Sequence, residues 1–230
     1  MNRVLNLEDF DERANDVSNY LCFLRDLEQE KILLSHDGVI SKIDTELDKS
    51  LKATGFLLLY NLVESTMRNA IQSIFDEMSE KGVAFIQLKK EIKKIILQNV
   101  KKNVQESGVN DVVEKIENIF NDIIQSGFNQ DKLFSGNVDA KEIKRIAKQY
   151  GFSAQTDIDT RDGSDLLSIK EHRNDLAHGV MSFKDVGRNT SAKNLVEISE
   201  RVIKYLRQIL ENIDDYLRNK EYLEPTFSTS

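Results

Sequence analysis

The chain has 230 residues, 40% of them hydrophobic and 31% charged, with one proline and ten glycines. That composition excludes a disordered polyelectrolyte, and so few chain-punctuating residues exclude an all-β sandwich, which needs a turn every ~8–12 positions. The formal net charge of −7 argues against a protein that coats nucleic acid without regard to sequence.

The pattern reads as helix after helix in an all-α bundle. Residues 9–34 space Phe10, Val17, Tyr20, Leu21, Leu24, Leu27 and Leu34 as one helical face. The stretch SHDGV (35–39) is a break. A long segment from Ile40 to Met78 follows, ended by Gly82, with Phe56, Leu59, Tyr60, Val63, Met67, Ile71, Ile74 and Met78 spaced by threes and fours. Tyr60 reads as core. Residues 84–102 form a basic amphipathic helix, and Val109–Ile124 another. The turn FSGN (134–137) precedes a short helix, Ala140–Tyr150, closed by Gly151. A polar loop (153–163) leads to a helix over 164–178. Residues 179–190, GVMSFKDVGRNT, read as a second loop with a short extended piece. A last helix runs from Ala192 to Leu223, and residues 224–230 form a frayed tail. The expectation is a single all-helical domain over 1–230, built of long antiparallel helices, with residues 81–150 as a helical insertion.

Cys22 is the only cysteine, which points to a cytoplasmic protein without an intrachain disulfide. No apolar run approaches the ~18 residues of a spanning helix, and the acidic start MNRVLNLEDFDERAND lacks a signal-peptide pattern. A soluble protein with no membrane partner is expected. Charge is unevenly spread. Residues 1–50 carry six basic and twelve acidic side chains, whereas residues 81–102 carry seven basic and one acidic. Lys89, Lys90, Lys93 and Lys94 are therefore candidate RNA contacts, with the wet face of an amphipathic helix as the plainer reading.

Gly-rich phosphate loops, paired cysteines and HExxH are absent from the sequence, so the residues suggest no metal site and no cofactor. Chemistry concentrates in EHRNDLAHGV (171–180), which holds two of the three histidines. Arg173 and His178 are five apart and diverge by about 140° on a regular helix, whereas Asn174 and His178 share a face. His178 precedes Gly179, where the helix can open. These groups suit RNA cleavage by the 2′-hydroxyl. Histidine serves as base or acid near neutral pH, arginine holds the phosphorane charge, and no metal is required. One such motif supplies one working histidine, so two copies across a two-fold axis would complete a site. The alternative is a polar helix end, with His178 as a cap and Arg173 in a surface ion pair with Asp175 or Asp185.

RNDLAHG, from Arg173 to Gly179, resembles the motif of the HEPN superfamily (higher eukaryote and prokaryote nucleotide-binding domains), with a four-residue spacer. LLLYNLVESTMRNAI (57–71), FSGNVDAKEIKRIAKQYGF (134–152) and SFKDVGRNT (182–190) are similar to one branch of small bacterial HEPN proteins. The resemblance implies a helical bundle that dimerises with its motifs facing each other. It implies a metal-independent endoribonuclease leaving 2′,3′-cyclic phosphate ends, in a toxin–antitoxin or antiviral defence role, with an antitoxin or defence-system partner protein. It also admits a non-catalytic module that binds RNA or a nucleotide. Carried onto this chain, Arg173 and His178 are the catalytic pair, and Asn174 orients His178 or the phosphate. Some HEPN toxins place a tyrosine two residues after the histidine, where an antitoxin modifies it. This chain has Val180 there, which puts that control in doubt. Glu64, at the border of its helix's apolar face, is a candidate support for Arg173 or His178; its alternative is a surface pair with Arg68. Arg68 and His172 are further supporting candidates, and His36 needs no special role.

Overall fold

A computed structural model describes residues 4–5, 7–105, 123–126, 134 and 136–227. Helix α1 spans Glu8–Glu28 and buries Phe10, Ala14, Val17, Leu21, Leu24 and Leu27 along one stripe. Its first turn carries Glu8, Asp9 and Asp11, where negative charge complements the helix dipole. The helix stops before the predicted residue 34. Two three-residue strands follow, β1 (Leu34–His36) and β2 (Val39–Ser41), paired antiparallel. Asp37 and Gly38 both have positive φ, 48° and 78°. Asp-Gly is the preferred pair for such a two-residue hairpin turn. All six strand residues are exposed, so the hairpin leaves no buried periodicity to read.

Helix α2 therefore starts at Thr45, not Ile40, and runs to Glu80. The Asp44 carboxylate caps it, accepting from the Glu46 and Leu47 amides at 2.9 and 3.0 Å. Its 36 residues correspond to about 54 Å of helix, and most of the remaining helices lean on it. In the region predicted as one basic helix, Phe85–Gln87 is a 3-10 turn and α3 runs Lys90–Gln105. The predicted Val109–Ile124 helix lies mostly outside the described residues; Ile123–Ser126 is helical, here α4. Helix α5 spans Ala140–Tyr150, capped by Asp139 and followed by Gly151 at φ 92°. Within the predicted polar loop, Ile158–Gly163 forms a 3-10 segment. Helix α6 spans Asp165–Ala177.

The predicted loop after the motif contains a six-residue helix of its own: α7, Phe183–Arg188, capped by Ser182. Gly187 lies against the α2 backbone, where an added Cβ would fall inside the Lys49 carbonyl. Helix α8 spans Ala192–Arg218; the predicted extension to Leu223 is a turn instead. Leu223 pairs with Leu88 in an isolated bridge, the Lys89 amide donates to Tyr222 O, and the Glu224 amide donates to Gln87 O.

The elements form an all-α bundle with one small hairpin. One apolar cluster runs through it from Leu5 to Leu223. Two carboxylates, the half-buried Glu28 and the buried Asp214, tie distant segments together. Glu28, at the end of α1, accepts from Lys52 Nζ of α2 at 3.1 Å and from the Ala192 amide of α8 at 2.9 Å. Asp214 of α8 accepts from the Val4 and Leu5 amides at 2.7 and 3.0 Å. No described helix is long and apolar enough to cross a membrane.

The Gly187 contact predicts that Gly187→Ala forces α7 off α2. We expect a loss of about 3 kcal/mol, read as a thermal midpoint lower by roughly 6–12 °C.

Candidate active site

Helix α6 is fixed at its start and open at its end. Leu166 and Ile169 are each 1% exposed and anchor it in the core. Asp165 receives a two-pronged bond from Arg201 of α8, at 2.7 and 3.1 Å. Lys170 pairs with Asp139, the residue that caps α5. At the other end, the Gly179 amide donates to Leu176 O at 3.3 Å and the Val180 amide to Asp175 O at 2.9 Å. That pair of bonds is a Schellman closure, and it requires the left-handed Gly179, φ 66°. Space around Gly179 is open, so its backbone conformation is what calls for glycine. His178 is the cap residue, its amide bonded to Asn174 O at 2.9 Å and its side chain exposed.

Arg173 points the other way, into a seat built by α2 and the segment before α5. Its guanidinium carbon lies 4.5 Å from the Tyr60 ring centroid, a cation–π distance. Nη1 donates to Gly136 O at 3.2 Å and to Asn174 Oδ1 at 2.9 Å. Nη2 is 4.0 Å from Glu64. Asn174 in turn donates from Nδ2 to Asn137 Oδ1 at 3.2 Å. The Tyr60 hydroxyl accepts from the Val138 amide, also at 3.2 Å, which lays the 136–139 segment over the guanidinium. Gly136 has φ 74°, and a Cβ there would come within 3.2 Å of Arg173 Nη1. Burial pushes the Tyr60 phenol above its ordinary range, and the nearby Glu64 charge adds to that. Tyr60 is thus a neutral ring beneath a cation.

Glu64 lies between two arginines. It pairs with Arg68 at 2.7 Å and faces Arg173 at 4.0 Å. Arg173, Asn174, Glu64 and Arg68 therefore gather in one place, beside a cleft of about 460 Å³. His178 does not join them. Among the described residues no hydrogen bond or ion pair links it to Arg173, as the 140° divergence implies. Asn174 accepts from Arg173 with its side-chain oxygen and from the His178 amide with its backbone carbonyl. His172 lies away from the cleft, packed on Phe56 at 4.4 Å with Nδ1 buried and unpartnered. Lys90, Lys93 and Lys94 ride on α3, which packs on α4 and α5; Lys89 precedes it, and Lys93 donates to Ile86 O at 2.8 Å. No described contact carries these four lysines to the motif.

Sequence reasoning missed Gly136 and Asn137, because nothing local marks a residue 37 positions away as a partner. It placed Tyr60 in the core, where it is 3% exposed, but not under the arginine. The i,i+4 spacing of Tyr60 and Glu64 was the available signal.

A family model described as HEPN_MAE_28990-like HEPN matches residues 5–222. The chain belongs to the HEPN superfamily. No curated protein and no solved structure matches it significantly. Membership supports a module concerned with nucleotides or RNA, in agreement with an arginine presented at a cleft. In this HEPN chain, no described group of three or more His, Cys, Asp or Glu side chains converges as metal ligands do.

The Lys170–Asp139 pair predicts an acid dependence. Burial opposes ionisation of Asp139, but the Lys170 ammonium and the Glu142 amide outweigh it and hold the carboxyl below its usual range. A depressed folded pKa means stability that is complete above the unfolded value, about 3.9, and lost as pH falls through the folded value. Asp139→Asn keeps a capping oxygen and loses the ion pair. It should cost about 1.5 kcal/mol at neutral pH and shallow the fall in thermal midpoint below about pH 4.

Proposed function

We propose that this HEPN protein is a metal-independent endoribonuclease that acts as a homodimer. The observation that carries the reading is the state of Arg173. Four groups hold its guanidinium, yet its side chain keeps 28% exposure at the cleft. A cation fixed in advance and still open to an anion is suited to the charge that develops on a phosphorane.

The reaction follows from RNA's own nucleophile. The 2′-oxygen forms a bond to phosphorus as a base removes its proton. The bond from phosphorus to the 5′-oxygen then breaks, an acid protonates that oxygen, and a 2′,3′-cyclic phosphate remains. Arg173 stabilises the equatorial oxygens, while Asn174 and Tyr60 keep it in register. His178 is the proton-transfer group. One histidine per chain accounts for either the base or the acid, and the second comes from a second copy. The outer face of α6 supports this arrangement. Leu167, Glu171, Asn174 and His178 follow one helical face, Leu167 is 48% exposed, and Val180 just beyond is 72% exposed. The toxin or antiviral-defence role, with an antitoxin or defence partner, rests on the resemblance of RNDLAHG and its flanking segments to bacterial HEPN proteins.

The separation of Arg173 from His178 within one chain favours a second reading, a module that binds RNA or a nucleotide without cutting it. Cleavage assays in EDTA with labelled RNA discriminate the two. The wild type should produce cyclic phosphate ends. His178→Ala and Arg173→Ala should each slow cleavage at least ~100-fold; the exposed His178 should do so with an unchanged thermal midpoint, and Arg173→Lys should fail to rescue, because a point charge lacks the planar fork. Equal cleavage by all variants would rule the nuclease out. Sedimentation should read a dimer, and a charge placed on the outer face by Leu167→Glu should yield monomers; a wild type that sediments as a monomer at working concentration removes the basis for a shared site.

A further inference from the structure

The cleft beside Arg173 is larger than one phosphate needs, and it continues away from the motif. It has about 460 Å³, within the ~300–1,000 Å³ range of sites that enclose a small organic ligand. Three arginines line it, one from each of three helices: Arg13 of α1, Arg68 of α2 and Arg173 of α6. Glu64 is the one carboxylate among the lining residues. This excess of positive charge stands in a chain whose net charge is −7. Tyr60, Glu64 and Arg68 succeed each other at four-residue steps along α2, so the cleft follows that helix for about 12 Å.

Arg13 is held in a way that leaves its outer edge available. Its Nε donates to both oxygens of Asp9 at 2.9 Å, and Asn69 Nδ2 donates to the same carboxylate at 3.0 Å. Among the described residues its two terminal nitrogens carry no hydrogen bond, and the side chain is 45% exposed. Asp9 therefore fixes the direction of the guanidinium, while the pair of terminal N–H groups that binds a phosphate remains unused.

We propose that this cleft is a substrate subsite, in which Arg13 and Arg68 hold the sugar–phosphate backbone next to the phosphate that is cut. The inference rests on the nuclease reading for the scissile phosphate at Arg173, and on the cleft itself for the rest. The ligand class is single-stranded RNA. A neighbouring phosphodiester lies between Arg68 and Arg13, and the amide side chains of Asn61 and Asn69 are within the same wall to meet ribose or base edges. Arg13 is thus a binding residue remote from the motif in sequence, 160 positions before Arg173.

The test is fluorescence anisotropy with the full chain and a labelled 12-mer oligouridylate bearing 2′-O-methyl sugars, which cannot be cut. Arg13→Gln should weaken binding ~5–10-fold and lower the slope of log K against log salt by about 0.7, the contribution of one phosphate contact on a single strand. Arg13→Lys should recover part of the affinity. The Asp9–Arg13 pair is exposed, so neither variant should shift the thermal midpoint. Unchanged affinity and slope in Arg13→Gln would overturn the subsite and leave the nuclease reading intact, provided His178-dependent cleavage persists. Arg13-dependent binding by a protein that cuts no RNA would keep the subsite and end the nuclease reading. Uridine 5′-monophosphate binding as tightly as the 12-mer would assign the cleft to a free nucleotide and overturn the proposal, as would a wild type that binds no RNA.

Discussion

A guanidinium drawn partly out of water is costly unless its donors are met, and Arg173 organises its neighbourhood to meet them. The Tyr60 ring supports its face, Glu64 its charge, and Gly136 O and Asn174 Oδ1 its donors. Each partner is constrained in turn. Tyr60 is buried on α2 and accepts the Val138 amide. Gly136 must be glycine both for its positive φ and for the room Arg173 takes. The 136–139 segment is therefore folded around a side chain from α6, and the approach to α5 is set by the same contacts that set the arginine.

The two ends of α6 serve different purposes. Its start is bound to α8 through Asp165 and to α5 through Lys170, so neither its axis nor its rotation is free. Its last turn closes on itself through Gly179 and leaves His178 outside. A rigid helix with an exposed terminal imidazole delivers that ring to a position defined by the bundle. A reactive group on such a support needs no loop closure to be placed.

Much of this was legible in the residue pattern. The helix carrying the motif, its end at Gly179 and the long apolar face of α2 follow from spacing and caps, because buried stripes and glycine stops leave direct marks. The hairpin did not, since its six residues are all exposed and Asp37-Gly38 looked like a simple break. Helix α7 escaped notice because it is six residues long with only Val186 and Gly187 buried. At the site, the grouping of Arg173 with Asn174 and Glu64 was within reach of helical geometry. Gly136, Asn137 and Arg13 were not, because their relation to Arg173 exists only once distant helices have packed.

The hydrogen bonds from Val4 and Leu5 to Asp214 span 210 and 209 positions of sequence. The 87–89 segment is also paired with 222–224. Both ends of the described chain thus converge at the far end of α8, where Val4 and Phe227 border one groove. The bundle is a closed ring whose seam joins residues almost a chain length apart. Contacts of that separation raise the contact order of the fold, which slows folding as a whole. Loss of the first few residues would therefore be felt at the end of α8, where the buried Asp214 carboxylate would be left without its two amide donors.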